Sequence, residues 1–299
     1  MTSSSTFTAS PTRPDMWFED FLVGQRFSSG TRSVTAADLA DFTRLSGDDH
    51  PLHTTPGHPL LEGGSPILQG PFGVAVAMGL LQSLGLSREP VVGLLDTHWS
   101  YRRPVRVGDV LRLELSVVRT RRTRRGDRGV VTRHMALVDG EGQVVQEGTT
   151  AVLLLARGTG PDPVDRAFGT QGWGEALAAR LGEDERFAAS LASWDGTVGL
   201  RAGQHEVHLR VYRGTVLEVS TRAALGATFT LEADELTWLE LVTAPVNDFT
   251  RRSMRGEFSV RGNAYEYLRL TKPLNLVVDA ARALAGDPAD ELLAVPAQV

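Results

Sequence analysis

The residues best suited to do chemistry lie in one short segment, Ser46 to His53. Within it, Asp48 and His53 stand five positions apart on either side of Pro51. Glycine and proline predict a turn here, and a turn can aim two side chains at one point. A carboxylate and a neutral imidazole can activate one water near neutral pH, because histidine titrates there. The alternative is an aspartate that caps a turn beside a surface histidine.

A second feature suited to chemistry is the start of an apolar segment, Pro71 to Leu84. It is apolar on nearly every face, which predicts a helix buried on all sides. The first amides of a helix lack internal acceptors, so they can bind a developing negative charge on a substrate oxygen. Pro71 has no N–H and suits the first turn, so it is not such a donor. Gly70, taken alone, is equally well explained as a tight turn before the helix.

Three histidines and two aspartates near the turn raise the question of a metal ion. His50 and His58 accompany His53, and Asp49 follows Asp48. Their spacing matches no compact metal motif, and loop histidines beside prolines are usually solvated. We therefore predict no metal and no cofactor.

The chain also contains a dense run of arginines before a predicted hairpin turn at Gly126-Asp127: Arg119, Arg121, Arg122, Arg124 and Arg125. A solvated turn is the ordinary interpretation. The functional one is a binding site for the phosphates of coenzyme A or of a carrier protein's phosphopantetheine arm, with Arg122 in contact. Arg102 and Arg103 are candidates for the same role. RNA binding is disfavoured, since no stacking aromatic residues lie nearby.

The segment Ser46 to His53 resembles the MaoC-like dehydratase family, which includes (R)-specific enoyl-CoA hydratases. Gly47, Asp48, Pro51 and His53 fit the family signature Gly-Asp-x-Asn-Pro-x-His, and His50 takes the place of its asparagine. The resemblance implies that Asp48 and His53 are catalytic and that His50 lies at the substrate. There His50 is expected to take over the structural hydrogen bonds of the asparagine, and the alternative is that it tunes the pKa of His53.

Three further blocks carry the resemblance, which covers roughly residues 16 to 157. Phe18 to Phe27 is similar to the opening strand and turn, and Trp99 to Leu111 is similar to the Phe-x-x-Pro-Val-x-x-Gly-Asp-x-Leu block. Pro66 to Phe72 stands where the family has Ile-x-His-Gly, so Gln69 replaces a histidine and is expected to lie at the substrate. Gly70 matches the glycine, and this match makes its amide the expected donor to the thioester oxygen. The resemblance implies a hot-dog fold, reversible hydration of a trans-2-enoyl thioester to its (3R)-hydroxy form, and a homodimer.

The second half resembles the sterol-carrier-protein-like lipid-binding domains, over roughly residues 185 to 287. The motif that carries this likeness runs from Met254 to Asn263 and continues at Tyr267 to Leu270. It implies an α+β domain with an apolar tunnel for a lipid ligand. Five apolar residues would line such a tunnel, or else form ordinary core: Phe229, Leu236, Leu239, Phe249 and Met254.

Hydrophobic patterning predicts the elements that position these residues. Leu113, Leu115 and Val117 alternate with polar residues in a strand from Leu111 to Val118. Further strands are predicted at residues 129–139, 143–156, 206–210, 216–221 and 258–262. Helices are predicted at residues 35–45, 166–191, 232–242 and 275–285. The fold class is thus α+β: an antiparallel sheet wrapped around a buried central helix, followed by an α+β sterol-carrier-like domain.

Length and composition limit the number of domains and the classes of protein to which the chain can belong. The 299 residues suggest about two domains, and we divide them into a disordered tail (1–15), a hot-dog domain (16–157), a linker (158–165) and a lipid-binding domain (166–299). A net charge of −5 argues against a nucleic-acid binder. The absence of cysteine excludes disulfides and fits a cytoplasmic protein, and no apolar run is long enough to span a membrane.

Three functions remain open at this point. The first is hydration of an acyl-CoA or carrier-protein thioester. The second is a biosynthetic dehydratase or cyclase that acts on a polyketide-like or carrier-bound intermediate. The third is a non-catalytic lipid-binding protein whose hot-dog half has lost activity.

Overall fold

The computed structural model describes residues 15–61, 63–158, 168–223 and 226–285, together with the backbone of 293–294. These residues form two sheets, each with its own hydrophobic core. The first unit contains a short 3-10 helix (Phe18–Asp20), β1 (Arg26–Ser33), α1 (Ala36–Ser46), α2 (Pro51–Thr54), α3 (Gly70–Ser83), β2 (Val91–Tyr101), β3 (Val110–Arg122), β4 (Arg128–Val138) and β5 (Val144–Leu155). Most of the predicted tail and linker lies outside the described residues, although the Asp15 carboxylate accepts hydrogen bonds from the amides of Arg88 and Glu89.

The first sheet has the strand order β11-β1-β3-β4-β5-β2, where β11 is the short strand Leu293–Ala294, and its long strands pair antiparallel. The predicted alternation in β3 is confirmed, because Leu113, Leu115 and Val117 are fully buried while Glu114 is exposed. Helix α3 packs on the same side of the sheet as these three residues. An antiparallel sheet wrapped on a central helix is the hot-dog arrangement that the sequence predicts. The start of the chain differs, since Phe18–Asp20 forms a 3-10 helix rather than a strand.

The composition of the central helix predicted burial on all sides, but in the structure the helix is buried on one side only. Phe72, Val76 and Leu80 face the core, whereas Ala75 and Gly79 on the opposite side are exposed. Within a single chain, one sheet covers only one face of the helix. The small residues of the other face leave room for a second element to pack closely.

The second unit contains α4 (Gln171–Gly182), α5 (Glu185–Ser190), β6 (Asp195–Ala202), β7 (His205–Tyr212), β8 (Thr215–Ser220), β9 (Phe229–Ala233), α6 (Glu235–Thr243), α7 (Phe249–Met254), β10 (Ser259–Gly262), α8 (Ala264–Arg269) and α9 (Thr271–Ala285). Its sheet has the order β10-β9-β6-β7-β8 and is mixed, because β6 and β9 run parallel. Glu232 was predicted to begin a helix, but it lies within strand β9, which ends at Ala233. Asp234 then caps α6 by accepting from Thr237 N at 2.7 Å.

The residues predicted to line a lipid tunnel have separate environments. Phe229 and Phe249 are core residues, and Met254 is 84% exposed, so it lines no tunnel. Leu239 borders a cavity of about 20 Å³ between the two units, together with Val118 of the first sheet. A cavity of this size holds about one water molecule and no lipid chain.

The described residues of the two units are in contact, and one ion pair and one strand pairing connect them. The Arg119 guanidinium of β3 donates to Glu235 at the start of α6, with an Nε–Oε1 distance of 2.8 Å. Strand β11 (Leu293–Ala294) pairs parallel with β1 through Phe27 and Ser28, so the chain returns to its first sheet. The sequence does not predict this strand, because two residues carry no periodicity.

Candidate active site

The end of α1 positions Asp48. Thr35 caps the start of this helix by accepting from Asp38 N, and Gly47 ends it with φ of +72°, a left-handed conformation that suits glycine. The amide of Asp48 then donates to Ser46 Oγ at 3.2 Å. The chain therefore turns sharply after α1, and the Asp48 side chain remains about half exposed at 48%.

The short helix α2 carries His53. His50 is the N-cap of α2, and its Nδ1 accepts from the amide of Leu52 at 3.3 Å. His50 thus fills a capping position in this loop, which explains why a hydrogen-bonding side chain stands in the place of the family's asparagine. Its ring lies 6.2 Å from the ring of His53, between centroids.

A backbone carbonyl fixes the tautomer of His53. Its Nδ1 lies 2.8 Å from the carbonyl oxygen of Ile67, which can only accept, so Nδ1 carries the proton. The neutral ring therefore presents the lone pair of Nε2 on its other side. That atom lies 3.7 Å from Oδ2 of Asp48. The separation is too long for a direct hydrogen bond and suits a water molecule bound by both groups.

Gln69 connects the Asp48 turn to the start of α3. It is 1% exposed, and its Nε2 donates to the Asp48 carbonyl at 2.9 Å and to Thr43 Oγ1 at 2.8 Å. Its Oε1 is buried and has no hydrogen-bond partner among the described residues. Ile67 N also donates to Leu52 O at 3.1 Å, so the segment before α3 is tied to α2 as well.

Gly70 is the first residue of α3, as the sequence predicts for the candidate oxyanion donor. No acceptor for its amide is found within the described part of the chain. A side chain at this position would meet the Tyr101 ring, whose nearest atom lies 3.0 Å from an added Cβ. Gly70 O accepts from Gln146 Nε2 at 3.3 Å, and Gln146 Oε1 accepts from Trp99 Nε1 at 2.9 Å. These hydrogen bonds hold the start of the helix against strands β5 and β2.

The predicted phosphate-binding arginines have other partners. Arg122 bonds Glu19 Oε1 at 3.0 Å and Gly126 O at 2.9 Å, and its guanidinium lies 5.0 Å from the centre of the Phe18 ring. Arg102 bonds Glu147 Oε1 at 2.8 Å. Arg103 has 53% of its side chain exposed and lies 4.0 Å from Asp139. The structure brings Asp48, His53, Gln69 and Gly70 together, and it places Arg122 in the packing of the N-terminal segment.

Two findings bear on other classes of site. Across the described residues, no group of three or more histidine, aspartate or glutamate side chains is arranged to hold a metal ion. None of the helices in the same part of the chain has the length and apolar character needed to cross a membrane.

Comparison with known proteins assigns the first unit to a family. Residues 21–138, which include the Asp48 turn and the start of α3, match the family model described as MaoC like domain. The first unit is a MaoC-like domain. This is a hydratase and dehydratase family, as the resemblance of the sequence predicts. No curated protein matches the chain significantly.

Solved structures similar to the chain fall into two groups. The MaoC-like dehydratase from Rhodospirillum rubrum is 30% identical, over 48% of this chain and 98% of that one, with a TM-score of 0.42. The (R)-hydratase from A. caviae involved in PHA biosynthesis is 27% identical, over 45% of this chain and 97% of that one, with a TM-score of 0.38. Sterol carrier protein 2, the counterpart of the resemblance in the second half, is 22% identical over 38% of this chain and 97% of that one, with a TM-score of 0.35.

Several residues of this site were not identified from the sequence. Ile67 acts through its backbone carbonyl, which no residue type reveals. Gln146 and Trp99 lie on separate strands, and only the register of β2 with β5 brings them to the start of α3. A polar residue at an inward position of β5 was the one available signal, since Gln146 is 2% exposed.

Proposed function

We propose that the MaoC-like domain hydrates a trans-2-enoyl thioester to the (3R)-hydroxyacyl form, reversibly. The observation that carries this proposal is the geometry of His53. Its protonated Nδ1 is held by a carbonyl, and its free Nε2 faces the Asp48 carboxylate across a gap of 3.7 Å. A base with a fixed lone pair beside a carboxylate is what activation of a single water requires.

The reaction follows from this arrangement. His53 Nε2 takes a proton as the water oxygen attacks C3 of the substrate. The electron pair of the C2=C3 bond moves toward the thioester, whose oxygen becomes an enolate oxygen. The proton passes through Asp48 to C2, so that one water is added in total; the roles of Asp48 and His53 in this transfer can be exchanged. Acid–base help of this kind contributes about two to four orders of magnitude in rate.

The amide of Gly70 supports the enolate. It stands at the start of α3, where the helix dipole adds positive potential, and it needs no cationic side chain. Removal of one such donor typically costs about 3 kcal/mol of transition-state stabilisation. His50 and Gln69 position the loop and the helix start around the substrate. Arg103, which follows Tyr101 by two residues and has 53% of its side chain exposed, is the arginine that we assign to a phosphate of the substrate.

Exposed apolar surface supports the proposal that two copies of the chain form the active enzyme. Strand β2 stands at the end of the sheet order and pairs only with β5 within the described strands. Val92 and Leu95 on this strand are 45% and 55% exposed. An apolar edge strand of this kind is normally covered by a partner.

The test is loss of the conjugated enoyl absorbance of crotonyl-CoA and longer homologues with the purified full chain. Asp48→Asn and His53→Gln should each lower kcat by at least about a hundredfold. Asp49→Asn, an exposed neighbour, is the matched control and should keep full activity. Turnover that survives both dyad substitutions would contradict the mechanism. Activity on acylated carrier protein alone would favour the carrier-bound substrate, and uptake of a fluorescent acyl probe without turnover would favour a lipid binder.

A further inference from the structure

Strand β4 places an arginine on the inner face of the first sheet, the face that packs against α3. This face is identified by Gln146, whose side chain bonds Gly70 O at the start of the helix. Directly paired residues on neighbouring antiparallel strands form a row across the sheet. The side chains of one row point to the same side of the sheet, and successive rows point to alternate sides. Three rows therefore share the inner face: Leu137–Gln146–Tyr101, Met135–Gly148–Trp99 and Arg133–Thr150–Thr97. Arg133 occupies a position where the alternation of β4 calls for an apolar residue.

The other buried polar side chains of these rows have partners. Gln146 bonds Trp99 and Gly70, and Thr150 Oγ1 lies 3.4 Å from the sulfur of Met135. Arg133 is only 8% exposed, yet its Nε is buried without a hydrogen-bond acceptor. Among the described residues, it also forms no ion pair with a carboxylate. It is a buried cation that no carboxylate of the described residues neutralises.

Such a group is costly to keep unless something pairs with it. Burial lowers the pKa of Arg133 to about 10, so the guanidinium stays charged at neutral pH. An unpaired buried charge destabilises the folded state, and a buried ionisable side chain is usually retained for binding or catalysis. A guanidinium binds carboxylates with two parallel hydrogen bonds, which makes a carboxylate the best matched ligand.

The position of Arg133 relative to the site suggests where that carboxylate comes from. Tyr101, whose ring lies against Gly70, stands in the first of the three rows. Thr97, in the row of Arg133, is four residues away along β2, which is about 14 Å at the rise of a strand. Tyr101 and Thr97 are exposed and Trp99 between them is half-buried, so the inner face of β2 is an open surface leading from the helix start toward the arginine's row.

We propose that an acyl chain lies along this surface and that Arg133 binds a carboxylate at its distal end. This inference rests on the function proposed above and narrows its substrate class to ω-carboxy enoyl thioesters. The thioester stands at Gly70 near Asp48 and His53. The aromatic rings of Tyr101 and Trp99 contact the methylene chain, and the hydroxyls of Thr97 and Thr150 flank the terminal carboxylate.

The experiment compares matched pairs of substrates with the purified full chain. trans-2-Hexenedioyl-CoA and trans-2-decenedioyl-CoA end in a carboxylate, and trans-2-hexenoyl-CoA and trans-2-decenoyl-CoA end in a methyl group. For one of the two lengths, kcat/KM should be at least about tenfold higher with the carboxylate. Arg133→Met should lower kcat/KM for that carboxylate-ended substrate by about a hundredfold and leave kcat/KM for the methyl-ended substrate unimpaired. The kcat/KM of Arg133→Lys for the carboxylate-ended substrate should lie between those of the wild type and Arg133→Met. Arg128→Met, an exposed arginine on the same strand, is the control.

Binding without turnover separates this inference from the hydratase proposal. Adipoyl-CoA and sebacoyl-CoA should each be compared by calorimetry with hexanoyl-CoA and decanoyl-CoA. Tighter binding of one diacid thioester that disappears in Arg133→Met supports the inference even if no hydration is seen. Equal binding of all four, or a preference that persists in Arg133→Met, overturns it even if crotonyl-CoA is hydrated. Loss of the dimer and a lower melting temperature in both Arg133→Met and Arg133→Lys would also overturn it, because they would assign the arginine to an acid of the second copy.

Discussion

His53 and Ile67 are joined by a hydrogen bond of 2.8 Å from the ring Nδ1 to the backbone carbonyl. This bond decides which ring nitrogen is free to accept a proton, and it also satisfies a carbonyl beside the 12% exposed imidazole. A single contact therefore serves both the chemistry and the local stability of the loop, and the two contributions can be separated.

The separation uses two substitutions at position 53. His53→Leu removes the donor and leaves the Ile67 carbonyl unpaired, which should cost about 1–3 kcal/mol of unfolding free energy. His53→Gln retains a donor on a side chain of similar reach and should cost less than about 1 kcal/mol. Urea unfolding at neutral pH measures both, and activity should be lost in both. Equal stability of the two variants would show that the carbonyl finds another donor.

Gly73 in α3 should be intolerant of any side chain. A Cβ at this position would lie 2.1 Å from Oε1 of Gln146, a side chain fixed by its bonds to Trp99 and Gly70. Gly73→Ala should therefore destabilise the chain by about 1–3 kcal/mol through overpacking. The double variant Gly73→Ala/Gln146→Ala should regain part of that loss, because the two sites are in direct contact. Additive losses in the double variant would contradict the clash.

The ion pair between the units should be worth more than a surface pair. Only 10% of the Arg119 side chain and 21% of the Glu235 side chain are exposed. Glu235→Gln leaves a buried guanidinium without its counter-charge and should cost about 3 kcal/mol of unfolding free energy. The exposed pair of Arg112 and Glu114 is the control, and Glu114→Gln should cost less than about 1 kcal/mol. Arg119→Met/Glu235→Leu should recover most of the loss, and comparable losses at both sites would refute the distinction.

Acid should weaken the same contact through His205. Burial, then Arg119 and Arg121, lower the pKa of His205 to about 4, and these causes outweigh Glu235 at 4.0 Å. Because the unfolded chain binds this proton near pH 6.5, the unfolding free energy should be highest above that pH. It should then decrease as the pH falls toward 4. His205→Asn should flatten this part of the stability profile, and an unchanged slope would assign the acid sensitivity to other groups.

The edge strand β2 predicts the oligomeric state. Leu95→Lys places a charge on the apolar edge and should shift the chain from dimer to monomer in light scattering. Leu217→Lys is the control, because Leu217 is 61% exposed on β8 of the second unit. A wild-type monomer would contradict the proposed assembly directly.

The sequence predicted the first unit well because its signals are local. Asp48 and His53 lie within one turn, and the alternation of Leu113, Leu115 and Val117 is a property of one strand. The features that the sequence did not predict depend on pairing between distant segments. The inward direction of Arg133 depends on the register of β4, and the sequence analysis did not identify it as a candidate.

The arginine run shows the same limit. Composition placed Arg119 and Arg122 together at a solvated hairpin tip, but both belong to β3, where a bulge follows Val117. Arg119 then contacts Glu235 of the second unit, and Arg122 contacts Glu19. Neither acid is near the run in sequence. In the second unit, Glu232 was misassigned because a strand with mixed polarity precedes α6 without a break.

Strand β11 has a consequence for how this protein can be divided. It supplies the outer neighbour of β1, so a fragment ending after β5 would present the main-chain donors and acceptors of Phe27 and Ser28 to solvent. An unpaired strand edge of this kind pairs with other chains and promotes aggregation. Separate expression of the first unit would therefore yield a less soluble product, although the segment with Asp48 and His53 would be intact.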